Sequence, residues 1–374
     1  PLLAGLLVPL THVSETAAAS IWASINLGAL ALLVAAFCAA ARIRGRFVVA
    51  VVVGVLLLPA TYESLLLGQV NIVIASLVMA GIGLLVRGGA GVRPQILGGC
   101  LLGVAAAIKV YPLVFVVPLL IQRKGWAVLG CAAAFVAAGV AGVLLTGGVE
   151  ETWVYWTEVL PRVGSGDPAR IENQSLTGAC LRLFSETRNT FAFSLTGAES
   201  VEVVVRPLVD APTLAPVLAR VLSAAVLVVT LAALVRRRRT PDAVPWGFAI
   251  LVVAFLLAGT IVWHYYYQLV LVPLSVLVRT GAVRRRPVRF GLYAVALCLS
   301  FHRFWVPLTF YIGSAAVTVL GTIAMLVLWG TVLVAGERPV VGATPAWTRG
   351  RRTPTRASDR GRSATRRRGR ARPG

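Results

Sequence analysis

The sequence predicts an all-α, polytopic membrane protein, and three observations support this fold class. Hydrophobic residues make up 58% of the 374 residues and charged residues only 13%, whereas soluble proteins are about 25% charged. The mean hydropathy is +0.83. The charges that remain lie in short basic clusters between long apolar runs. Together these features exclude a cytosolic enzyme, a disulfide-stapled secreted domain and a disordered regulator.

Apolar runs long enough to cross a bilayer recur along the chain. A spanning helix needs about 20 apolar residues, and four runs meet this length: 17–41, 126–145, 213–235 and 313–336. Arginine and lysine clusters separate the runs, and the positive-inside rule predicts that these clusters are cytoplasmic. They are Arg42/Arg44/Arg46, Arg87/Arg93, Arg123/Lys124, Arg236 to Arg239, Arg279 with Arg284 to Arg286, and the C-terminal tail.

The intervals between these basic clusters must return to the same side of the membrane. Residues 47–86 fit two helices that turn at 59–71, and 246–279 fit a hairpin that turns near Trp263. Residues 94–122 are too short for two full spans, and Pro112 predicts two half-length helices broken at 109–112. With a last hairpin at 289–336, the sequence predicts about 11 membrane helices or half-helices within a polytopic domain, residues 1–336.

Two segments outside the apolar runs differ sharply in charge. Residues 146–212 hold nine of the fourteen acidic residues and are predicted to form an outer loop. Residues 337–374 carry twelve arginines against Glu337 and Asp359, so this tail supplies +10 of the net charge of +22. Its low complexity predicts disorder on the cytoplasmic side. We expect it to contact anionic membrane lipids, at roughly 1 kcal/mol per basic residue, or to be simply solvated; nucleic acid is not an expected partner.

The five cysteines form no CxxC motif or Cys/His cluster, and the sequence predicts neither a metal site nor a cofactor. Polar groups at membrane depth are costly, and we therefore treat them as candidate functional residues. Around the first turn these are Tyr62, Glu63, Gln69 and Asn71, which line a polar pocket or, equally well, form an exposed turn at the headgroups.

Lys109 is one of only two lysines and lies at the predicted break, next to Tyr111. Its ammonium suits an anionic group such as a phosphate, with snorkelling to the interface as the alternative. In the outer loop, Asn173 and Gln174 suit sugar hydroxyls and Arg182 suits a phosphate, although an ordinary hydrated loop also explains them.

His264 follows Trp263 and precedes three tyrosines at the predicted hairpin tip. Interfacial belts explain the tryptophan and tyrosines, whereas the histidine suits a hydrogen bond to a phosphate oxygen. His302 and Arg303 form a similar pair that suits a headgroup contact.

Four motifs occur in an order that resembles glycosyltransferase family 87: YESLLLGQVN, GVAAAIKVYPLVFVVPLL, NQSLTG with Arg182, and WHYYYQLVLVPL. The resemblance covers the chain to about residue 336. It implies a GT-C architecture with an active site at the outer face of a bacterial plasma membrane and a cytoplasmic C-terminus. The family includes polyprenyl-phosphate-mannose-dependent α-mannosyltransferases of actinobacteria.

The resemblance also implies the reaction and its partners. The donor is a polyprenyl-phosphate sugar (mannose, with arabinose as a related possibility), and the acceptor is a glycolipid or polysaccharide. Lys109, Arg182 and His264 are expected at the donor phosphate, and the catalytic residue is unknown because the family aspartate is expected upstream of Pro1. A transporter or flippase of a lipid-linked sugar is the alternative, and its polar groups are expected to be accessible from both sides.

Overall fold

A computed structural model describes residues 2–87, 91–163, 167–192, 200–281 and 312–335, with short stretches between 287 and 295. These residues belong to one compact unit that runs from Pro1 to Arg338 and are mostly helical. The basic turn at Arg284 to Arg286, the pair His302 and Arg303, and the tail 337–374 lie outside the described residues. The predictions made for them stay predictions.

The first half of the chain folds into eight helices, two of which are flanked by 3₁₀ turns. In order they are α1 (Leu2–Leu7), α2 (Glu15–Ala41), α3 (Phe47–Leu56), α4 (Pro59–Leu66), α5 (Asn71–Arg87), α6 (Val92–Ile108), α7 (Val116–Ile121) and α8 (Gly125–Leu145). The 3₁₀ turns are Val8–His12 after α1 and Tyr111–Phe115 before α7.

The second half contains the loop elements and the remaining helices. They are α9 (Val149–Val154), a π turn (Tyr155–Val159), α10 (Leu160–Val163), α11 (Leu176–Phe184), β1 (Thr187–Ala192), β2 (Ser200–Val205), α12 (Leu214–Arg237), α13 (Ala243–Ala258), a 3₁₀ helix (His264–Val270), α14 (Leu271–Arg279), α15 (Ala315–Thr318) and α16 (Leu320–Ala335).

Three described helices are long and apolar enough to cross a membrane, namely α2, α8 and α12. The pair α3 and α4, bent by 55° at a short break, makes a fourth span if the pair is counted as one. Six shorter apolar stretches of 10–17 residues accompany them. The described residues therefore form a multi-pass membrane protein, while the predicted number of about 11 membrane helices is not confirmed.

The long spans begin and end where the local chemistry requires it. The Ser14 side chain accepts a hydrogen bond from the Ala17 amide and caps the start of α2. Arg42 then ends α2 in a left-handed conformation with φ of 59°. The basic residues Arg236 and Arg237 lie in the last turn of α12, where the helix dipole favours cations.

The interior of the bundle is built around α13. Its sequence is apolar on all sides, and most of its side chains are buried, as expected for a helix surrounded by others. Close packing of α6 on α8 depends on glycine. A Cβ atom at Gly99 would overlap the carbonyl group of Ala127, and one at Gly103 would overlap that of Cys131.

The loop 146–212 contains strands, so the all-α prediction was wrong for this segment. Strands β1 and β2 pair antiparallel, with Thr187 opposite Val205. The run SVEVVV is rich in β-branched valine, which favours strands. Val203 and Val205 are buried with Ile171 and Ala315, whereas alternate residues are exposed. The hairpin thus covers a second, smaller apolar cluster.

Candidate functional site

Lys109 lies at the break between α6 and the following 3₁₀ turn, as the sequence predicts. It ends α6 with φ of −139° and ψ of 130°, an extended conformation. Pro112 occupies the start of the 3₁₀ turn, where its missing N–H costs nothing. The break therefore places a half-buried ammonium between two short helices rather than on the side of a continuous one.

The Lys109 ammonium is held by one amide oxygen and two aromatic faces. Its Nζ donates a hydrogen bond of 3.2 Å to Asn71 Oδ1. It lies 4.8 Å from the ring centroid of Tyr266 and 5.3 Å from that of Tyr265. An ammonium has three donors, and Asn71 takes one of them. Among the described residues no carboxylate forms an ion pair with Lys109, so the arrangement orients a positive charge that suits an anionic ligand.

The Asn71 amide belongs to the first polar motif, whose other residues are Tyr62, Glu63 and Gln69. Asn71, at the start of α5, is buried, and its Nδ2 donates a long hydrogen bond of 3.5 Å to Gln69 Oε1. Glu63 in α4 is also buried, whereas the Tyr62 side chain is 49% exposed. Gly68 turns the chain between α4 and α5 with φ of 60°, a conformation that glycine adopts without strain.

The 3₁₀ helix His264–Val270 joins the first two motifs. Gln268 Nε2 donates to the Ala60 carbonyl of α4 at 3.1 Å. Tyr111 stacks on Phe255 with ring centroids 5.1 Å apart and meets Tyr266 edge to face at 5.0 Å. His264 is buried, and its ring lies edge to face with Tyr267 at 6.2 Å.

Asn173 connects the loop motif to the chain just before this 3₁₀ helix. Its Nδ2 donates to the carbonyls of Pro168 and Thr260, both at 2.8 Å, and its Oδ1 accepts from the Val262 amide at 2.9 Å. Every part of the Asn173 amide is therefore used inside the protein. It fixes the backbone at 260–262, which leads directly into His264.

Gln174 and Arg182 join the same loop to α15. Gln174 Nε2 donates to the carbonyls of Ile171 at 2.7 Å and Thr318 at 2.9 Å. Arg182 is fully buried. It donates to the carbonyls of Arg170 at 2.6 Å, Asn173 at 2.9 Å and Thr318 at 3.2 Å, and to Thr318 Oγ1 at 3.0 Å.

These internal contacts bear on the ligand-binding roles predicted for Arg182, Asn173 and Gln174. Burial lowers the pKa of the Arg182 guanidinium to about 10, and Glu172 acts in the opposite direction, so Arg182 is charged at neutral pH. Its charge is satisfied by protein oxygens, as a buried guanidinium requires. The structure gives each of these side chains hydrogen-bond partners inside the protein. The donor-phosphate role of Arg182 and the sugar-binding roles of Asn173 and Gln174 therefore stay predictions.

The structure thus brings three predicted motifs directly together and attaches the fourth through the backbone. Glu63, Asn71, Lys109 and Tyr111 pack around the 3₁₀ helix, while Asn173 binds the segment before it. Sequence reasoning missed Tyr265 and Tyr266 as partners of Lys109, because a run of interfacial aromatic residues explained them locally. Arg170, whose guanidinium lies 5.5 Å from the Trp263 ring centroid, was also missed. In the described part of the chain, no three His, Cys, Asp or Glu side chains come together as a metal site.

The chain is similar in sequence to known glycosyltransferases. The chain is 33% identical over 103 residues to the polyprenol-phosphate-mannose-dependent alpha-(1-2)-phosphatidylinositol mannoside mannosyltransferase of Mycobacterium tuberculosis. That match covers 27% of this chain and 23% of the relative, so only about a quarter of the relative's length is spanned. No solved structure matches the chain. The family model of glycosyltransferase family 87 matches residues 1–260, and the chain belongs to this family of membrane glycosyltransferases.

Proposed function

We propose that the protein transfers mannose from a polyprenyl-phosphate-mannose donor to a hydroxyl group of a glycolipid or mannan acceptor. The observation that carries the proposal is the Lys109 ammonium, held by Asn71 Oδ1 and by the faces of Tyr265 and Tyr266. Membership of glycosyltransferase family 87 and the mannose-dependent relative support the donor class.

The transfer is proposed as a single displacement with inversion at the anomeric carbon. The acceptor oxygen forms a bond to that carbon, the bond from carbon to the phosphate oxygen breaks, and the electron pair leaves with polyprenyl phosphate. Negative charge therefore develops on the phosphate, and a cation placed there lowers the barrier. We assign this work to Lys109, with a second donor in His264, which lies on the 3₁₀ helix that also carries Tyr265 and Tyr266.

The remaining groups position the reactants. The acceptor proton passes to a general base. Asn71 accepts a hydrogen bond from Lys109 and donates one to Gln69, and we propose that these two residues border the sugar pocket together with Tyr62, Glu63 and Tyr111. We assign Asn173 to holding the backbone before His264, through its bonds to Thr260 and Val262. Gln174 and Arg182 are assigned to holding the loop against Thr318, to which both side chains donate.

The location of the reaction follows the charge pattern of the chain. We propose that the site opens at the outer face of a bacterial plasma membrane and that the C-terminus is cytoplasmic, because bases cluster on the opposite turns from the acidic loop. The Arg-rich tail is proposed to contact anionic lipids on the cytoplasmic side.

The test uses membranes from cells that express the natural full-length gene, supplied with polyprenyl-phospho-[14C]mannose and native glycolipids. Wild-type membranes should form a labelled glycolipid, and Lys109→Ala should lower its rate of formation at least a hundredfold, about 2.7 kcal/mol. Lys124→Ala is the matched control, since it removes the other lysine of the chain, and it should keep wild-type activity.

Three results would contradict the assignment. Wild-type turnover by Lys109→Ala would refute the phosphate role of the lysine. Label transferred only from polyprenyl-phospho-arabinose would refute mannose as the sugar. Label that moves across sealed vesicles without forming a new glycolipid, from an inserted protein, would favour the transporter.

A further inference from the structure

Among the residues that the structure describes, almost nothing covers the helical segment of residues 149–163. It consists of α9, the π turn Tyr155–Val159 and α10. No side chain of α9 or of the π turn is buried. Apolar side chains are nevertheless prominent: Val149 is 74% exposed, Trp153 67% and Trp156 40%. A soluble surface rarely leaves two tryptophans so open, which marks this helix as an interaction surface.

Both tryptophans of this segment lie on the same side as Val149, whereas Glu151 lies on the opposite side. Val149 and Trp153 are four residues apart and Trp156 follows three residues later, a spacing that places them on one helix face. Glu151 is two residues from Trp153 and therefore points to the opposite side of α9. The helix is amphipathic, with an apolar stripe that contains both tryptophans.

The position of this helix indicates what covers the stripe. α8 is one of the three candidate spans and ends at Leu145. Its last residues are exposed and apolar, with Leu144 at 77% and Leu145 at 48%. Gly147 and Gly148, with φ of 101° and 135°, turn the chain sharply before Val149. The helix thus begins after only three intervening residues from the end of a candidate span, where the headgroups of a bilayer crossed by α8 are expected.

We propose that residues 149–163 form an in-plane interfacial helix, with Trp153 and Trp156 inserted into the headgroup–acyl boundary of the leaflet where α8 ends. Tryptophan is favoured at this depth because its ring is apolar and its N–H stays near water. Glu151 and Glu158 make the other side acidic, and Glu150 lies at the edge of the stripe. Insertion is therefore driven by apolar burial and needs no anionic lipid, unlike that of basic interfacial helices.

Depth measurements on spin-labelled protein test this directly. In full-length protein whose cysteines are replaced by serine, single cysteines are introduced as Trp153→Cys and as the matched control Glu151→Cys, with Val136→Cys in α8 as a lipid standard. Each protein is labelled with a nitroxide and reconstituted into phosphatidylcholine vesicles, with and without phosphatidylglycerol. A nitroxide that collides often with oxygen lies in the lipid, and one that collides often with a water-soluble nickel chelate lies in the solvent.

The label at 153 should collide with oxygen nearly as often as the label at 136 and at least fivefold less with nickel than the label at 151. It should lie about 5–10 Å below the headgroups, equally in both kinds of vesicle. Equal nickel accessibility at 151 and 153 would overturn the proposal, as would a label at 153 shielded from both reagents, because a protein surface would then cover the stripe. Insertion that requires phosphatidylglycerol would also overturn it.

Trp156→Cys provides a second labelling site if the 153 variant does not fold. The readout uses neither donor nor acceptor, so a failure here leaves the proposed transferase activity untouched, and inactive protein can still confirm the interfacial helix.

Discussion

Replacing Arg182 should destabilise the outer loop and so weaken its contacts with the chain that precedes His264. The guanidinium is fully buried and donates to Arg170, Asn173 and Thr318. In Arg182→Ala, the carbonyls of Arg170 and Asn173 lose a charged donor, while the Thr318 carbonyl keeps its bond from Gln174 Nε2. We expect a loss of stability and not a specific loss of donor affinity.

The size of this loss follows from the bonds that are broken. Each buried carbonyl left without its donor costs about 1–3 kcal/mol. The Arg170 carbonyl keeps its bond from the Asn173 amide at 2.9 Å, so the Asn173 carbonyl is the one that loses its donor among the bonds described. With the lost bond to Thr318 Oγ1 and the lost packing of a fully buried side chain, we expect about 3–5 kcal/mol, in the range found for breaking buried charge interactions. In thermal unfolding this corresponds to a decrease in Tm of roughly 5–10 °C.

The assay compares three variants in the full-length protein, purified in detergent for thermal unfolding and retained in membranes for donor titration. Arg182→Lys keeps the charge but not the planar set of donors, so it should recover less than half of the lost stability. Arg188→Ala is the matched control, because this arginine of the same loop is 69% exposed and its ion pairs with Glu186 and Glu202 are 4.0 and 3.8 Å long. Such exposed pairs contribute below about 1 kcal/mol.

Amide hydrogen exchange locates the effect. Protection should fall at Gln174 and Val262, whose amides join the loop to the 260–262 segment, and should be retained in α8. An unchanged Tm combined with a donor KM raised tenfold, recovered by Arg182→Lys, would refute the anchoring role. It would restore Arg182 as a ligand of the donor phosphate.

Three further predictions concern single contacts. Gly99→Ala should destabilise the protein by about 1–3 kcal/mol because its Cβ would push α6 away from α8; in Gly139→Ala, where nothing lies within 4 Å, unfolding should occur at an equal or higher temperature. Asn71→Ala should raise the donor KM about tenfold by releasing the Lys109 ammonium, and an unchanged KM would contradict this. Trp246→Phe removes the 2.9 Å bond from Nε1 to the Val332 carbonyl, so the free energy of unfolding should fall by about 1 kcal/mol; an unchanged value in denaturation would exclude that contribution.

Local sequence was sufficient to predict the long spans. The runs 17–41, 126–145 and 213–235 correspond to α2, α8 and α12 within two residues at each end. The ends of such a span can be read from the sequence, because the bilayer requires an apolar run inside it and places charged residues outside it. The break at Lys109 was predictable for the same reason, because Pro112 acts on its immediate neighbours.

The remaining features depend on contacts between distant residues. Nothing near Lys109 shows that the faces of Tyr265 and Tyr266, more than 150 residues later, cover its ammonium. The Asn173 amide likewise meets Thr260 and Val262 only after folding. The sequence motif suggested sugar binding because free amides suit hydroxyl groups, and only the hydrogen-bond partners show that these amides are engaged. The β-hairpin was missed because the loop as a whole is polar, and the alternating pattern of β2 is only six residues long.

The ligand-binding properties of the site must come from its assembly and not from any one motif. The family match ends at residue 260, and the aromatic residues that face Lys109 follow within six residues. Without Tyr265 and Tyr266 the ammonium would lose two cation–π contacts, each about 0.5–2 kcal/mol, and its fixed direction. The Asn173 amide stabilises the 260–262 segment that leads into this 3₁₀ helix. A lysine positioned in this way would distinguish a phosphate by geometry as well as by charge, as the proposed stabilisation of the leaving group requires.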